Sequence, residues 1–97
     1  MPKAYWVSCY RAVHDPAKLA EYAKLAGPAI EQHQGRFVIR GAAAHAYEQG
    51  VAERTVVVEF DSLERAVAAR QSPEYAAALR ALDGAVERDF RIVEGVG

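Results

Sequence analysis

Ala4-Tyr5-Trp6-Val7-Ser8-Cys9-Tyr10-Arg11-Ala12 is the stretch on which the fold turns. Aromatic and small apolar residues fall on both of its parities, with Trp6, Ser8 and Tyr10 on one and Tyr5, Val7 and Cys9 on the other. That spacing predicts a strand with two covered faces, at the centre of a sheet. Asp15-Pro16 follows, an N-cap and then a proline at the first helical position, where a missing N–H costs nothing. From there Leu19, Tyr22, Ala23, Ala26 and Ile30 recur at helical spacing, with Lys18, Glu21, Lys24 and Glu31 on the other side. Gly27-Pro28 interrupts the pattern, because Pro28 has no N–H for the Lys24 carbonyl. A kink, or two short helices, is expected before Gly35 ends the run.

Arg36 to Tyr47 and Glu53 to Phe60 read as two strands joined through Glu48-Gln49-Gly50, with Val56, Val58 and Phe60 on one face and Thr55, Val57 and Glu59 on the other. Asp61-Ser62-Leu63-Glu64 has the form of a capping box with Asp61 as the cap, and Leu63, Ala66 and Val67 continue it at helical spacing. Ser72-Pro73-Glu74 opens a third helical piece, striped by Tyr75, Ala76, Leu79 and Leu82, which should end near Asp83-Gly84. Phe90 to Val93 is a last short strand. The order is strand, helix, strand, strand, helix, strand. With right-handed crossovers this gives a single α+β domain over residues 1–97, a ferredoxin-like βαββαβ fold with a four-stranded antiparallel sheet and helices on one face. The two-sided first strand asks for a cover on the bare face, and a second copy of the chain supplies it through one self-complementary patch. A homodimer is therefore expected.

Composition narrows the partners. With 12 Lys and Arg against 13 Asp and Glu the net charge is -1, which leaves no basic field for nucleic acid. The 97 residues suit one domain. No apolar run approaches the ~20 residues of a membrane-spanning helix, and the N-terminus lacks a signal peptide's apolar core. Cys9, the only cysteine, has no partner for a disulfide and reads as a small buried hydrophobe, so a cytoplasmic location is expected.

The chemistry of several tenants of this fold is missing. An iron–sulfur ferredoxin needs four cysteine thiolates. An RNA-binding sheet needs stacking aromatics in a basic Gly-Phe run, which Arg54-Thr55-Val56-Val57-Val58-Glu59-Phe60 does not contain. His14, His33 and His45 lie far apart in sequence, so no metal site and no cofactor is expected. What remains comes from strand parity. If Val56, Val58 and Phe60 face the helices, Glu59 and Thr55 face the uncovered side. Trp6, Ser8 and Tyr10 are assigned to that same side, together with Arg40 and Val38. An aromatic cavity with a few polar groups is the usual form of a small-molecule site. Arg40, Glu59, Tyr10, Trp6 and Ser8 are its expected ligand-binding residues, with Arg40 paired to Glu59.

The runs Gly35-Arg36-Phe37-Val38-Ile39-Arg40-Gly41, Arg54 to Phe60, Ser72-Pro73-Glu74-Tyr75 and Ile92-Val93-Glu94-Gly95, with the Tyr5-Trp6 opening and the Asp15-Pro16 helix start, resemble the DUF 1330 family, a domain of unknown function. The resemblance runs in order over nearly the whole chain. It departs at Gly41-Ala42-Ala43-Ala44-His45, where relatives commonly carry a second glycine. It implies the dimeric α/β barrel arrangement, in which two ferredoxin-like sheets face each other across a shared cavity, and it supplies no catalytic residues. Two functions stay open. One is a cofactor-independent enzyme, monooxygenase- or isomerase-like, acting on a small apolar or aromatic metabolite, with Arg40 orienting an anionic group and Glu59 or His45 moving a proton. The other is a non-catalytic dimeric module that binds a ligand or partner.

Overall fold

The computed structural model describes residues 2–97. Its elements are β1 (Ala4–Val13), α1 (Pro16–Gln32), β2 (Arg36–Ala42), β3 (Arg54–Phe60), α2 (Leu63–Arg70), α3 (Pro73–Leu82) and β4 (Val86–Glu94). The strands form one open sheet in the order β2-β3-β1-β4, every neighbouring pair antiparallel. This is the ferredoxin-like arrangement, with β1 at the centre as its two apolar parities require. The sheet does not close into a barrel within one chain. Among the described residues no helix is long and apolar enough to cross a membrane.

Capping explains where the helices begin. Asp15 accepts a hydrogen bond from the Lys18 N–H at 3.1 Å, and Ser72 from the Tyr75 N–H at 3.2 Å. At α2 the cap is Ser62, not Asp61. Ser62 has the extended backbone of an N-cap and accepts from the Arg65 N–H at 3.2 Å, while Asp61 instead lies 3.6 Å from Lys3. Helix α1 runs through Pro28 as one element, where an interruption was expected. Tyr22 and Ala26 before the proline and Ala29 and Ile30 after it are all buried, and that packing outweighs one lost backbone bond. The left-handed residue after α1 is Gln34, with φ 63°. Gly35 is needed for a different reason, since a Cβ there would lie 2.6 Å from the Phe60 ring.

Two strand limits differ from the sequence reading. Strand β2 stops at Ala42, and residues 43–53 form an irregular loop in which Glu48 takes a left-handed φ of 56° and the Gly50 N–H donates to the Tyr47 carbonyl. Strand β4 begins at Val86, ahead of the expected Phe90, because its charged residues hide the alternation from a hydropathy reading.

The core lies between the sheet and the helices, centred on Trp6. Its ring sits 5.0 Å from Phe60, 4.8 Å from Tyr75 and 5.3 Å from Phe90, centroid to centroid, and its buried indole N–H donates to the Ala66 carbonyl at 2.9 Å. Register fixes the faces. Trp6 stands opposite Val58 and Ser8 opposite Val56, so Trp6, Ser8 and Tyr10 face the helices, with only 2–3% of each exposed. Strand parity alone points them to the open side, and pairing reverses that expectation. That side instead carries Tyr5, Val7 and Cys9, and Cys9 is exposed, not buried. On β2 a bulge between Phe37 and Ile39 leaves Val38 without a partner and brings Arg40 opposite Val56. Arg40 therefore lies on the helix face and Glu59 on the open one, and the expected Arg40–Glu59 pair does not form.

Candidate functional site

Three cross-strand rows line the helix face of the sheet and grade from apolar to cationic. The innermost row comprises Phe37, Val58, Trp6 and Ile92; the next, Arg40, Val56, Ser8 and Phe90; the third brings Arg54 beside Tyr10 and Arg88. Helix α1 packs along α3, and its Tyr22, Ala26 and Ile30 face these rows. The result is a recess roofed by Tyr22, Ala23, Ala26 and Ile30 of α1. It encloses about 50 Å³ and is open to solvent on one side.

Charge in the recess is one-sided. Arg40, Arg54 and Arg88 line it, and no Asp or Glu does. Arg88 is held by aromatic groups alone. Its guanidinium donates to the Tyr10 hydroxyl at 3.4 Å, the Tyr22 hydroxyl at 3.2 Å and the Tyr75 hydroxyl at 3.2 Å, and it lies 5.0–5.7 Å from the ring centroids of Phe90, Tyr22 and Tyr10. The Tyr22 and Tyr75 hydroxyls also bond to each other at 2.5 Å. Burial pushes the Tyr22 hydroxyl well above the ordinary phenol range, so Tyr22 is a neutral phenol beside a permanently charged guanidinium. Arg54 lies over the Tyr10 ring at 5.9 Å, and among the described residues its buried Nε–H has no acceptor. Ser8, in the middle row, has a buried Oγ that likewise finds no hydrogen-bond partner among them. Polar groups in such positions normally have partners, because leaving them unpaired costs about 1–3 kcal/mol each.

The open face is satisfied by contrast. Glu59 accepts from the Tyr5 hydroxyl at 3.0 Å and pairs with Arg36 and, at 3.8 Å, Lys3. The Tyr5 hydrogen bond, and then Arg36 and Lys3, hold its carboxyl below the usual carboxylate range, while the same bond raises the Tyr5 phenol. His45 lies in the 43–53 loop, its ring stacked near Tyr47, in a groove shared with Cys9, Thr55 and Asp89. Of the residues singled out from sequence, the recess brings together Trp6, Ser8, Tyr10 and Arg40. Glu59 and His45 are elsewhere. Arg54, Arg88, Tyr22 and Tyr75 were missed, although a signal existed. Arg54 shares its parity with Val56, Val58 and Phe60, and Arg88 with Phe90 and Ile92, which makes each an arginine on an otherwise apolar strand face. Among the described residues no three His, Cys, Asp or Glu side chains gather where they could hold a metal ion.

The fold and this recess define a ferredoxin-like α+β domain with a cationic aromatic pocket between sheet and helices. The model of a family described as a domain of unknown function (DUF1330) matches residues 3–96, and the chain belongs to that family. No curated protein matches it. Among solved structures it is similar to a protein of unknown function from Rhodopseudomonas palustris, with 16% identity, a TM-score of 0.78, and 99% of this chain and 84% of that one covered. It is similar to SnoaB, a cofactor-independent oxygenase from Streptomyces nogalater, with 14% identity, a TM-score of 0.67, and 100% and 96% covered. A dimeric ferredoxin-like protein of unknown function from Thermobifida fusca gives 16% identity, a TM-score of 0.59, and 96% and 91% covered. At these identities the likeness is one of fold.

Proposed function

We propose that the chain is a homodimeric binder of small carboxylates whose apolar or aromatic body enters the helix-side recess. The observation that carries this reading is the buried, unpartnered Nε–H of Arg54 in a recess lined by three arginines and no carboxylate. A guanidinium that presents Nε–H and an Nη–H side by side matches the two oxygens of a carboxylate. The anion would offset part of the positive charge of the recess, and its apolar body would lie along the inner rows toward Trp6. The dimer rests on the open face, where Val7 and Val57 at the centre and the half-exposed Ile39 and Val93 toward the edges form an apolar patch. A structural neighbour described as dimeric supports the same reading.

Thermal denaturation with benzoate, phenyl phosphate and the uncharged benzyl alcohol tests the site, since a ligand of the native state raises the melting temperature. Benzoate is expected to raise it, benzyl alcohol to leave it unchanged, and Arg54→Met to abolish the benzoate effect. A larger response to phenyl phosphate would replace carboxylate by phosphate as the anion. An unchanged benzoate response in Arg54→Met would overturn the assignment.

A second reading, a cofactor-independent oxygenase, is favoured by the Tyr22–Tyr75–Arg88 cluster, whose Tyr22 and Arg88 line the recess and can donate hydrogen bonds toward an oxyanion developing there. It predicts oxygen consumption when an aromatic hit is added. The isomerase form of the enzyme hypothesis needs a base, and neither Glu59 nor His45 lines the recess.

A further inference from the structure

The Ser8 hydroxyl remains unexplained by an anion alone. Ser8 is 3% exposed, lies between Val56 and Phe90 on the helix face of the sheet, and aims a partnerless Oγ into the recess. The packing around it does not require an oxygen, because its row neighbours Val56 and Phe90 are apolar. A hydroxyl has one hydrogen to give and two lone pairs to receive, so its complement is another hydroxyl or a carbonyl oxygen. Its position is equally informative. Register sets Ser8 opposite Val56, and Arg54 precedes Val56 by two residues on the same face, so Ser8 and Arg54 are diagonal neighbours about 7–8 Å apart at Cα. The two unsatisfied groups therefore stand one row apart on the same face, among aromatic rings.

We infer that the recess selects aromatic carboxylates bearing a hydroxyl or oxo group across the ring from the carboxylate, with Ser8 as the residue that reads this second oxygen. The inference rests on the carboxylate site proposed above. Arg54 holds the carboxylate. The ring lies against Val56 and Tyr10, and the distal oxygen exchanges a hydrogen bond with Ser8 Oγ. Occupation by such a molecule satisfies both orphaned polar atoms at once, whereas a carboxylate without the second oxygen leaves Ser8 unpaired. A site built to bond a hydroxyl discriminates against analogues that lack it for this reason.

Isothermal titration with 4-hydroxybenzoate and 4-methylbenzoate, which differ at one group of similar size, tests the inference. The wild-type protein is expected to bind 4-hydroxybenzoate at least about tenfold more tightly, and Ser8→Ala should bring the ratio of the two affinities to about one. Arg54→Met should remove binding of both probes. A ratio near one in the wild type, or a wild-type ratio that persists in Ser8→Ala, overturns the role of Ser8 while loss of binding in Arg54→Met keeps the carboxylate site standing. Binding of neither probe to the wild-type protein overturns both. Melting of unliganded Ser8→Ala at or above the wild-type temperature shows that any lost preference comes from the missing hydroxyl and not from damage to the sheet.

Discussion

On the open face of the sheet Glu59 has Tyr5, Arg36 and Lys3 around it, whereas on the helix face Arg54 keeps a buried Nε–H with no acceptor and Ser8 a buried hydroxyl with no partner. The two sets of groups share the same strands. Glu59 and Arg54 are both on β3, five residues apart and of opposite parity. A mutually satisfied cluster stabilises itself and asks nothing of a ligand. An unsatisfied one in a low-dielectric recess raises the energy of the empty state, which a complementary molecule can recover on binding. This difference marks the helix side as the place to look for function, and the open side as surface available to a second copy of the chain.

The comparison can be broken most forcefully at the open face. Val57→Asp puts a charge at the centre of the apolar patch, and light scattering coupled to gel filtration should then report the 10.6 kDa chain mass where the wild-type protein gives about twice that. A wild-type monomer, or an unaffected dimer in Val57→Asp, would move the interface elsewhere. On the helix side the largest effect belongs to Arg88, whose guanidinium ties three tyrosines together. Arg88→Ala should cost about 3 kcal/mol in a urea melt, through lost charged hydrogen bonds and ring contacts, and Arg88→Lys should restore little, since one ammonium does not fork between Tyr75 and the Tyr10–Tyr22 pair. Ser8→Ala works in the opposite direction. Deleting a buried unpaired hydroxyl should raise the stability of the empty protein by about 1 kcal/mol, and a loss of that size would mean that the hydroxyl serves the fold.

The smallest expected effect sharpens the open-face side. Glu59 is depressed in the folded chain relative to its ordinary carboxylate value, chiefly by the Tyr5 hydrogen bond. Below the ordinary range the unfolded chain takes up a proton that the folded chain does not yet bind. Its contribution to stability is thus complete above that range and is lost as pH falls through the depressed value. Urea midpoints of the wild type and Glu59→Gln, followed from neutral pH to about pH 3, should differ by a modest amount at neutral pH and converge in acid.

Residue chemistry alone determined the element order, the antiparallel βαββαβ plan, β1 as the central strand, and the caps at Asp15 and Ser72, because these follow from periodicity and local hydrogen bonding within a few residues. It also determined that Val56, Val58 and Phe60 share the helix face, since their alternation with Thr55, Val57 and Glu59 is unambiguous. Which parity of β1 joins them was not legible, because both of its parities are apolar and only the pairing of Trp6 with Val58 chooses between them. The side taken by Arg40 was hidden for a related reason. A bulge adds one residue to a strand without a signature in hydropathy, and the one at Val38 reverses the parity of everything after it on β2. Tertiary structure alone therefore moved Trp6, Ser8, Tyr10 and Arg40 to the helix side, separated them from Glu59, and gathered Arg54, Arg88, Tyr22 and Tyr75 around the same recess. Long-range register sets which side chains meet, and it is a property of paired strands that no single strand carries.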